Sequence, residues 1–239
     1  MWRRLGVGTA VVSVAQLVVR LRRPCAVAQH AEEDSNSIHS RMAHIFDGLP
    51  DVHTIPGNEE DAIDASGGHE GYGELMIEGT AVLLEMLQPK AGKDVFFDFG
   101  SGAGRILVQI ALENPLLHAV GLELALSRHK VACAALERVN TPHGCEARLG
   151  DMLTSPCNDA TLVFIAGLLF DDDFMRRLAD RLCLLPRLRA IATLRRFPPD
   201  GCMALASVGY DERKEAVPLQ CTWGMAAVYI YERNLGQDE

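Results

Sequence analysis

The chain has 239 residues, of which 48% are hydrophobic and 23% are charged, and its formal net charge is −9. This length allows one domain with a sizeable core plus tails, and the acidity argues against strong nucleic-acid binding. The seven cysteines include no Cys-x-x-Cys pair and the eight histidines have no ligand spacing, so we expect neither a disulfide framework nor a metal. Nothing in the sequence indicates a homo-oligomer interface, and we expect a monomer.

Residues 1–30 form a basic and apolar segment. Five arginines and no acid occur in residues 1–23, and they flank the apolar run 5–19. This composition is typical of a targeting or anchor segment, although the run is shorter than the roughly 20 residues of a membrane span. A secretory peptide, a mitochondrial presequence, a signal anchor and a mis-assigned start codon are all open alternatives.

Residues 31–70 are strongly acidic and contain several glycines and prolines. From residue 31 to residue 74, eleven acids occur against a single base, Arg41. Such a composition predicts a mostly disordered, solvated linker. We therefore place the folded domain at residues 71–233, followed by a short tail at residues 234–239.

Residues 95–105 carry the strongest signal in the chain. An apolar run that ends in Asp98 predicts a buried strand, and a helix is predicted over residues 106–112. The turn between them holds three alternating glycines, Gly100, Gly102 and Gly104. A glycine turn at a helix N-terminus lets a ligand approach the backbone N–H groups closely.

The spacing of these glycines indicates the kind of ligand. A dinucleotide site needs Gly-x-Gly-x-x-Gly, whereas this chain has Gly-x-Gly-x-Gly preceded by an acid, Asp98. That pattern resembles motif I of the class I S-adenosylmethionine (SAM) methyltransferases. A second apolar strand, at residues 116–123, ends in Glu123 at about the 20-residue distance expected for a ribose-binding acid.

The remaining elements predict the fold class. A helix over residues 125–139, a short strand before Gly150-Asp151-Met152, a strand at 161–165 and a helix at 171–184 continue a βαβαβ order. This order predicts a parallel, doubly wound sheet. We expect an α/β, Rossmann-like class I methyltransferase fold, with a mostly parallel seven-stranded sheet and helices on both faces.

The string from Tyr72-Gly73-Glu74 to Arg105 resembles the non-SET histone lysine methyltransferases, the "disruptor of telomeric silencing" family. Further matches are Val-Gly-Leu-Glu at 120–123, Gly150-Asp151, the strand at 163–165, Thr222-Trp223-Gly224 and the strand at 228–231. The resemblance covers roughly residues 70–233. It implies SAM as the cofactor, histone H3 or the nucleosome as the partner, and the nucleus as the compartment.

The resemblance also implies the site residues, with Tyr72 and Glu74 closing over SAM. The implied SAM-binding residues are Tyr72, Glu74, Asp98, Gly100, Ser101, Gly102, Gly104, Glu123, Asp151 and Met152. A lysine acceptor, with its pKa near ~10.4, must lose a proton, and an apolar aromatic channel promotes that loss by desolvation. The candidates for this channel are Tyr72, Trp223 and Tyr231, with Phe170 and Tyr229 as further aromatic residues.

The chain departs from the family after the fourth strand. The family carries Asn-Asn-Phe there, and this chain has Ala166-Gly167-Leu168 instead. The departure affects the histone substrate more than SAM binding. A methyltransferase of a non-histone protein or small molecule, and a SAM-binding scaffold without catalysis, therefore stay open as alternatives. Seven arginines between residues 176 and 196 are either a phosphate-binding cluster or the polar face of a helix and its loop.

Overall fold

A mostly parallel sheet forms the centre of the computed structural model, which describes residues 37–139 and 144–234. The segment at 1–30, residues 31–36 and the tail after residue 234 lie outside the described residues. The helices are α1 (Ile38–Phe46), α2 (Gly57–Ser66), α3 (Ile77–Leu87), α4 (Arg105–Glu113), α5 (Leu126–Val139), α6 (Asp172–Cys183) and α7 (Pro199–Ser207). The strands are β1 (Val95–Phe99), β2 (His118–Glu123), β3 (Cys145–Leu149), β4 (Leu162–Ile165), β5 (Ala190–Thr193), β6 (Tyr210–Glu212), β7 (Val217–Cys221) and β8 (Gly224–Arg233).

The strand order within the sheet is β3-β2-β1-β4-β5-β8-β6. Neighbouring strands among β1 to β5 pair in parallel, and β8 pairs antiparallel with β5 and β6. The predicted seven-stranded, mostly parallel sheet is therefore confirmed along this path. An additional strand, β7, pairs antiparallel with β8.

Both faces of the sheet are covered by helices. Phe96 of β1 belongs to a core cluster with Leu83 of α3 and Leu107 of α4. Its neighbour Phe97 belongs to a second cluster, with Leu178 of α6. Successive residues of a strand point to opposite faces, so one short apolar strand supplies both cores.

The acidic segment is folded where the structure describes it. It forms α1 and α2, and four of its apolar side chains are buried: Met42, Ile45, Ile55 and Ile63. The first two pack with Val108 and Ala135, and the last two pack with Ala125. The prediction of a mostly disordered linker is therefore wrong for residues 37–70, because these few apolar side chains bind the segment to the domain.

A buried ion pair joins the amino ends of three strands. The Asp94 carboxylate, 5% exposed, accepts hydrogen bonds from Arg189 Nη2 at 2.7 Å and from Thr161 Oγ1 at 2.9 Å. Burial alone raises the pKa of Asp94, but the hydrogen bonds from Arg189, the Lys90 N–H and Thr161 outweigh it and lower the pKa to about 2.

No helix in the described ranges is long and apolar enough to cross a membrane.

We predict that Asp94→Asn destabilises the protein by about 3 kcal/mol at neutral pH, because it leaves the Arg189 charge without its partner. The pKa of Asp94 is lower in the folded state, so its contribution is present above pH 3.8 and is lost as the pH falls toward about 2. Thermal unfolding followed by circular dichroism should show a gap between wild type and variant that closes over this range. A gap independent of pH would contradict the ion-pair assignment.

Candidate functional site

A cavity of about 370 Å³ opens at the carboxyl ends of the parallel strands. Its wall includes the residue that follows each of four strands: Gly100 after β1, Leu124 after β2, Gly150 after β3 and Ala166 after β4. Open α/β sheets bind their ligands at this edge. The cavity is therefore the candidate functional site.

The glycine turn lies against the end of β2. The N–H groups of Gly100 and Ser101 both donate to the Leu122 carbonyl, at 2.8 and 3.0 Å. The Gly102 N–H donates to Glu123 Oε2 at 2.8 Å, and the Ala125 N–H donates to Glu123 Oε1 at 2.9 Å. Glu123 thus holds the glycine turn while it also lines the cavity.

Two buried carboxyl groups lie at the base of the cavity. Asp98 is 3% exposed, and burial, followed by the charge of Glu123, raises the pKa of Asp98 to about 7. Burial also raises the pKa of Glu123, against the opposing effect of the hydrogen bonds from Ala125 and Gly102. Two close acids of this kind favour a ligand that brings positive charge. Within the described ranges, no three His, Cys, Asp or Glu side chains are grouped as a metal site requires.

The Tyr72–Glu74 loop covers the glycine turn. The Tyr72 hydroxyl donates to Glu74 Oε1 and accepts a hydrogen bond from the Ala103 N–H at 3.2 Å. Arg105 Nε lies 2.5 Å from Glu74 Oε2, a close contact of opposite charges. The Tyr72 ring lies so close to Gly102 that a Cβ there would be 2.6 Å from Tyr72 Cε2.

The β7–β8 turn completes this wall. The Thr222 N–H donates to the Glu74 carbonyl at 2.9 Å, and the Glu74 N–H donates to Thr222 Oγ1 at 3.2 Å. Trp223 lines the cavity, is 46% exposed, and packs directly on Gly73, where an added Cβ would overlap the indole ring. Two segments nearly 150 residues apart in the chain thus form one surface of the cavity.

The structure brings most of the predicted site residues together. Those that line the cavity are Tyr72, Glu74, Asp98, Gly100, Ser101, Gly102, Glu123, Asp151, Met152, Phe170 and Trp223. Asp151 Oδ1 also accepts a hydrogen bond from the Leu153 N–H at 2.8 Å, which orders the turn after β3.

Two assignments are corrected. Tyr231 is 2% exposed and lies in the core, where its ring packs edge-on against Phe197 and its hydroxyl accepts the Phe197 N–H at 3.3 Å. It is a core residue and not part of the channel. Gly104 precedes α4 in a left-handed conformation and faces Ala132 of α5, which a Cβ would approach to 2.9 Å. Gly104 does not line the cavity, and the structure gives it a role in close helix packing.

Sequence reasoning missed Arg128, which lines the cavity and is 5% exposed. Its hydrogen-bond partners are the carbonyls of Val52 and Glu70, 76 and 58 residues away in the chain. No local sequence pattern predicts hydrogen bonds to carbonyls so far away in the chain. Ile63 and His69 of the acidic segment also line the cavity. They are not among the predicted site residues, because the sequence predicts disorder for this segment.

The arginines between residues 176 and 196 are largely engaged by protein groups. Six of them contact an acid or a carbonyl: Arg176, Arg177, Arg181, Arg189, Arg195 and Arg196. These contacts favour the interpretation as the polar face of a helix and its loop.

Comparisons with known proteins agree with the fold. A model of the family "Histone methylation protein DOT1" matches residues 60–143, about a third of the chain. A search of curated proteins finds no match. The magnesium protoporphyrin IX methyltransferase ChlM of Synechocystis PCC 6803 superposes with a TM-score of 0.52 at 13% identity, over 83% of this chain and 93% of that one.

A second similar structure is the geranyl diphosphate C-methyltransferase of Streptomyces coelicolor A3(2). Its TM-score is 0.52 at 11% identity, over 64% of this chain and 78% of that one. At these identities the likeness concerns the fold alone. The chain has the Rossmann-like class I methyltransferase fold, as the sequence predicts.

We predict that Asp98→Asn stabilises the protein above pH 7, by up to about 4 kcal/mol. The folded state keeps the Asp98 proton up to a pKa of about 7, whereas the unfolded chain loses it near 3.8. Wild-type stability therefore falls as the pH rises through this window. The amide of Asp98→Asn does not ionise, so the variant does not lose stability in this way. Melting temperatures at pH 5 and pH 8.5 test this, and a variant less stable than wild type at pH 8.5 would refute it.

Proposed function

We propose that the protein is a SAM-dependent methyltransferase. The observation that carries this proposal is the buried pair Asp98 and Glu123 beneath the glycine turn, at the ligand-binding edge of a class I methyltransferase fold. SAM carries a sulfonium and an ammonium group. A cavity whose base holds two acids suits such a cation, because its charge offsets the cost of burying the carboxylates.

Each of the two acids would contact a different part of SAM. Glu123 would accept the ribose hydroxyls, since each carboxylate oxygen has a second acceptor position beyond its backbone N–H partner. Asp98 would receive the ammonium of the methionine part, which favours its charged form. Asp151 and Met152, which line the cavity after β3, would contact the adenine.

The reaction requires alignment more than covalent catalysis. When bound, SAM supplies an electrophilic methyl group, and its transfer is a direct displacement. Tyr72 and Trp223 line the cavity and would help to exclude water from the methyl group. Burial and the neighbouring Glu74 raise the pKa of Tyr72, so its hydroxyl keeps its proton and remains a hydrogen-bond donor.

We propose a lysine of histone H3 as the acceptor, on the strength of the family resemblance and the partial family match. Leu168, Phe170 and Trp223 line the cavity with apolar side chains. Such a lining disfavours an ammonium and so lowers the pKa of an entering lysine from about 10.4. A neutral amine can then act as the nucleophile. This acceptor would place the protein in the nucleus.

A small apolar molecule is the second candidate acceptor. Ala166 and Gly167 stand where the histone enzymes carry asparagines, and Leu168 and Leu169 beside them are exposed large apolar residues. An apolar edge without amide groups suits an acceptor that needs no hydrogen bonds there.

We predict that Gly102→Ala raises the Kd for SAM at least tenfold, because the new Cβ displaces Tyr72 from the glycine turn. Gly92→Ala is the matched control, since Gly92 also has a positive φ, +71°, but nothing lies within 4 Å of the added Cβ. Both variants carry backbone strain of about 1–2 kcal/mol. Isothermal titration calorimetry should show weakened binding only for Gly102→Ala, and equal Kd values would contradict the assignment.

The decisive assay is transfer of radiolabelled methyl from SAM by the full chain. Nucleosomes, free core histones and a protein-free metabolite extract serve as acceptors, and Gly102→Arg serves as the blank. We expect label on histone H3 above the blank. Label in the metabolite extract alone would replace the histone acceptor by a small molecule. SAM binding without transfer to any acceptor would indicate a scaffold, and absence of SAM binding would refute the proposal.

A further inference from the structure

Residues 51–72, here called the roof segment, form part of the cavity wall. The segment contains α2, and its members Ile63, Ser66, His69 and Tyr72 line the cavity. Four of its six acids, Asp51, Glu60, Asp61 and Asp64, are exposed, and its two buried residues are Ile55 and Ile63. Because the segment forms part of the cavity wall, the contacts that hold it affect how closed the cavity is.

One side chain holds both ends of the roof segment. Arg128 Nε donates to the Val52 carbonyl at 3.0 Å, and Arg128 Nη2 donates to the Glu70 carbonyl at 2.8 Å. The guanidinium carbon lies 4.7 Å from the centre of the Tyr72 ring, a cation–π contact. Tyr72 in turn covers Gly102. Arg128 thus links the roof segment, the covering tyrosine and the glycine turn.

The chemistry of the contact requires arginine. Two carbonyls in different directions need two N–H donors from one planar fork, while the flat face of the guanidinium packs on the tyrosine ring. A lysine ammonium supplies charge without this geometry.

We propose that Arg128 is a positioning residue that keeps the roof segment closed over the bound cofactor. Arg128 acts through the roof segment and Tyr72, and its loss increases the fraction of open molecules. The apparent affinity for a ligand falls in proportion to the closed, binding-competent fraction. This inference rests on the proposed SAM binding.

A second contact keeps the roof segment attached when Arg128 is changed. Glu59 Oε2 accepts a hydrogen bond from Ser127 Oγ at 2.6 Å, and Glu59 Oε1 accepts the Ser127 N–H at 3.1 Å. This places a carboxylate at the N-terminal end of α5, where the helix dipole favours it. Ile55 and Ile63 remain packed on Ala125. An Arg128 variant should therefore loosen the roof segment without unfolding the domain.

The same helix offers a matched control. Arg138 Nη1 donates to the carbonyls of Ile45 and Asp47, at 2.8 and 2.7 Å. Arg138 therefore also ties α5 to two carbonyls of the acidic segment, but at α1 and away from the residues that line the cavity. Arg138→Met removes a comparable pair of contacts without touching the roof segment.

The test compares Arg128→Met, Arg128→Lys and Arg138→Met in the full chain. Isothermal titration calorimetry gives the Kd for SAM, and hydrogen–deuterium exchange with mass spectrometry gives the opening of residues 51–72. We expect Arg128→Met to raise the Kd on the order of tenfold and to speed exchange in the roof segment. Arg128→Lys should fall between Arg128→Met and wild type. Arg138→Met should keep the Kd within about twofold and speed exchange at residues 38–47.

Equal Kd changes in Arg128→Met and Arg138→Met would overturn the proposal, because the effect would then be general destabilisation. Unchanged exchange of the roof segment in Arg128→Met would also overturn it. If the wild type binds no SAM, the proposed function fails, but the exchange comparison still decides whether Arg128 holds the roof segment closed.

Discussion

The candidate site depends on the Glu123 carboxylate, which joins the ends of two strands. Its two oxygens accept the N–H groups of Gly102 and Ala125, so one buried charge orders both the glycine turn after β1 and the connection from β2 to α5. Desolvating a carboxylate is costly, and hydrogen bonds to its charged form recover part of that cost. The turn on which Tyr72 lies therefore keeps its shape through a residue that also faces the cavity.

Two acids lie near opposite ends of β1, and they have opposite effects on stability at neutral pH. Asp94 at the amino end is paired with Arg189 and Thr161, and its pKa is lowered. Asp98 at the carboxyl end lies beside another acid, and its pKa is raised to about 7. The first stabilises the sheet at neutral pH and the second weakens it. Groups left in such an unfavourable state gather at functional sites, where a ligand supplies the missing partner.

The acidic segment shows why composition misleads about order. Many acids and few large apolar residues are typical of disorder, yet Met42 and Ile45 pack on α4 and α5, and Ile55 and Ile63 pack on Ala125 just before α5. These side chains pack against residues that are distant in the chain. The composition of the segment itself therefore does not predict how much apolar surface they bury. The order of this segment matters for the candidate site, because Ile63 and His69 line the cavity.

The sequence by itself determined the fold class, the glycine turn and the acids at the strand ends, because these are local patterns with a set spacing along the chain. The tertiary structure alone decided which side chains meet across long separations. Trp223 reaches Gly73, and Arg128 reaches Val52 and Glu70. It also decided that Tyr231 faces the core, because the position of a strand residue depends on its register with neighbouring strands and on the helix that covers that face.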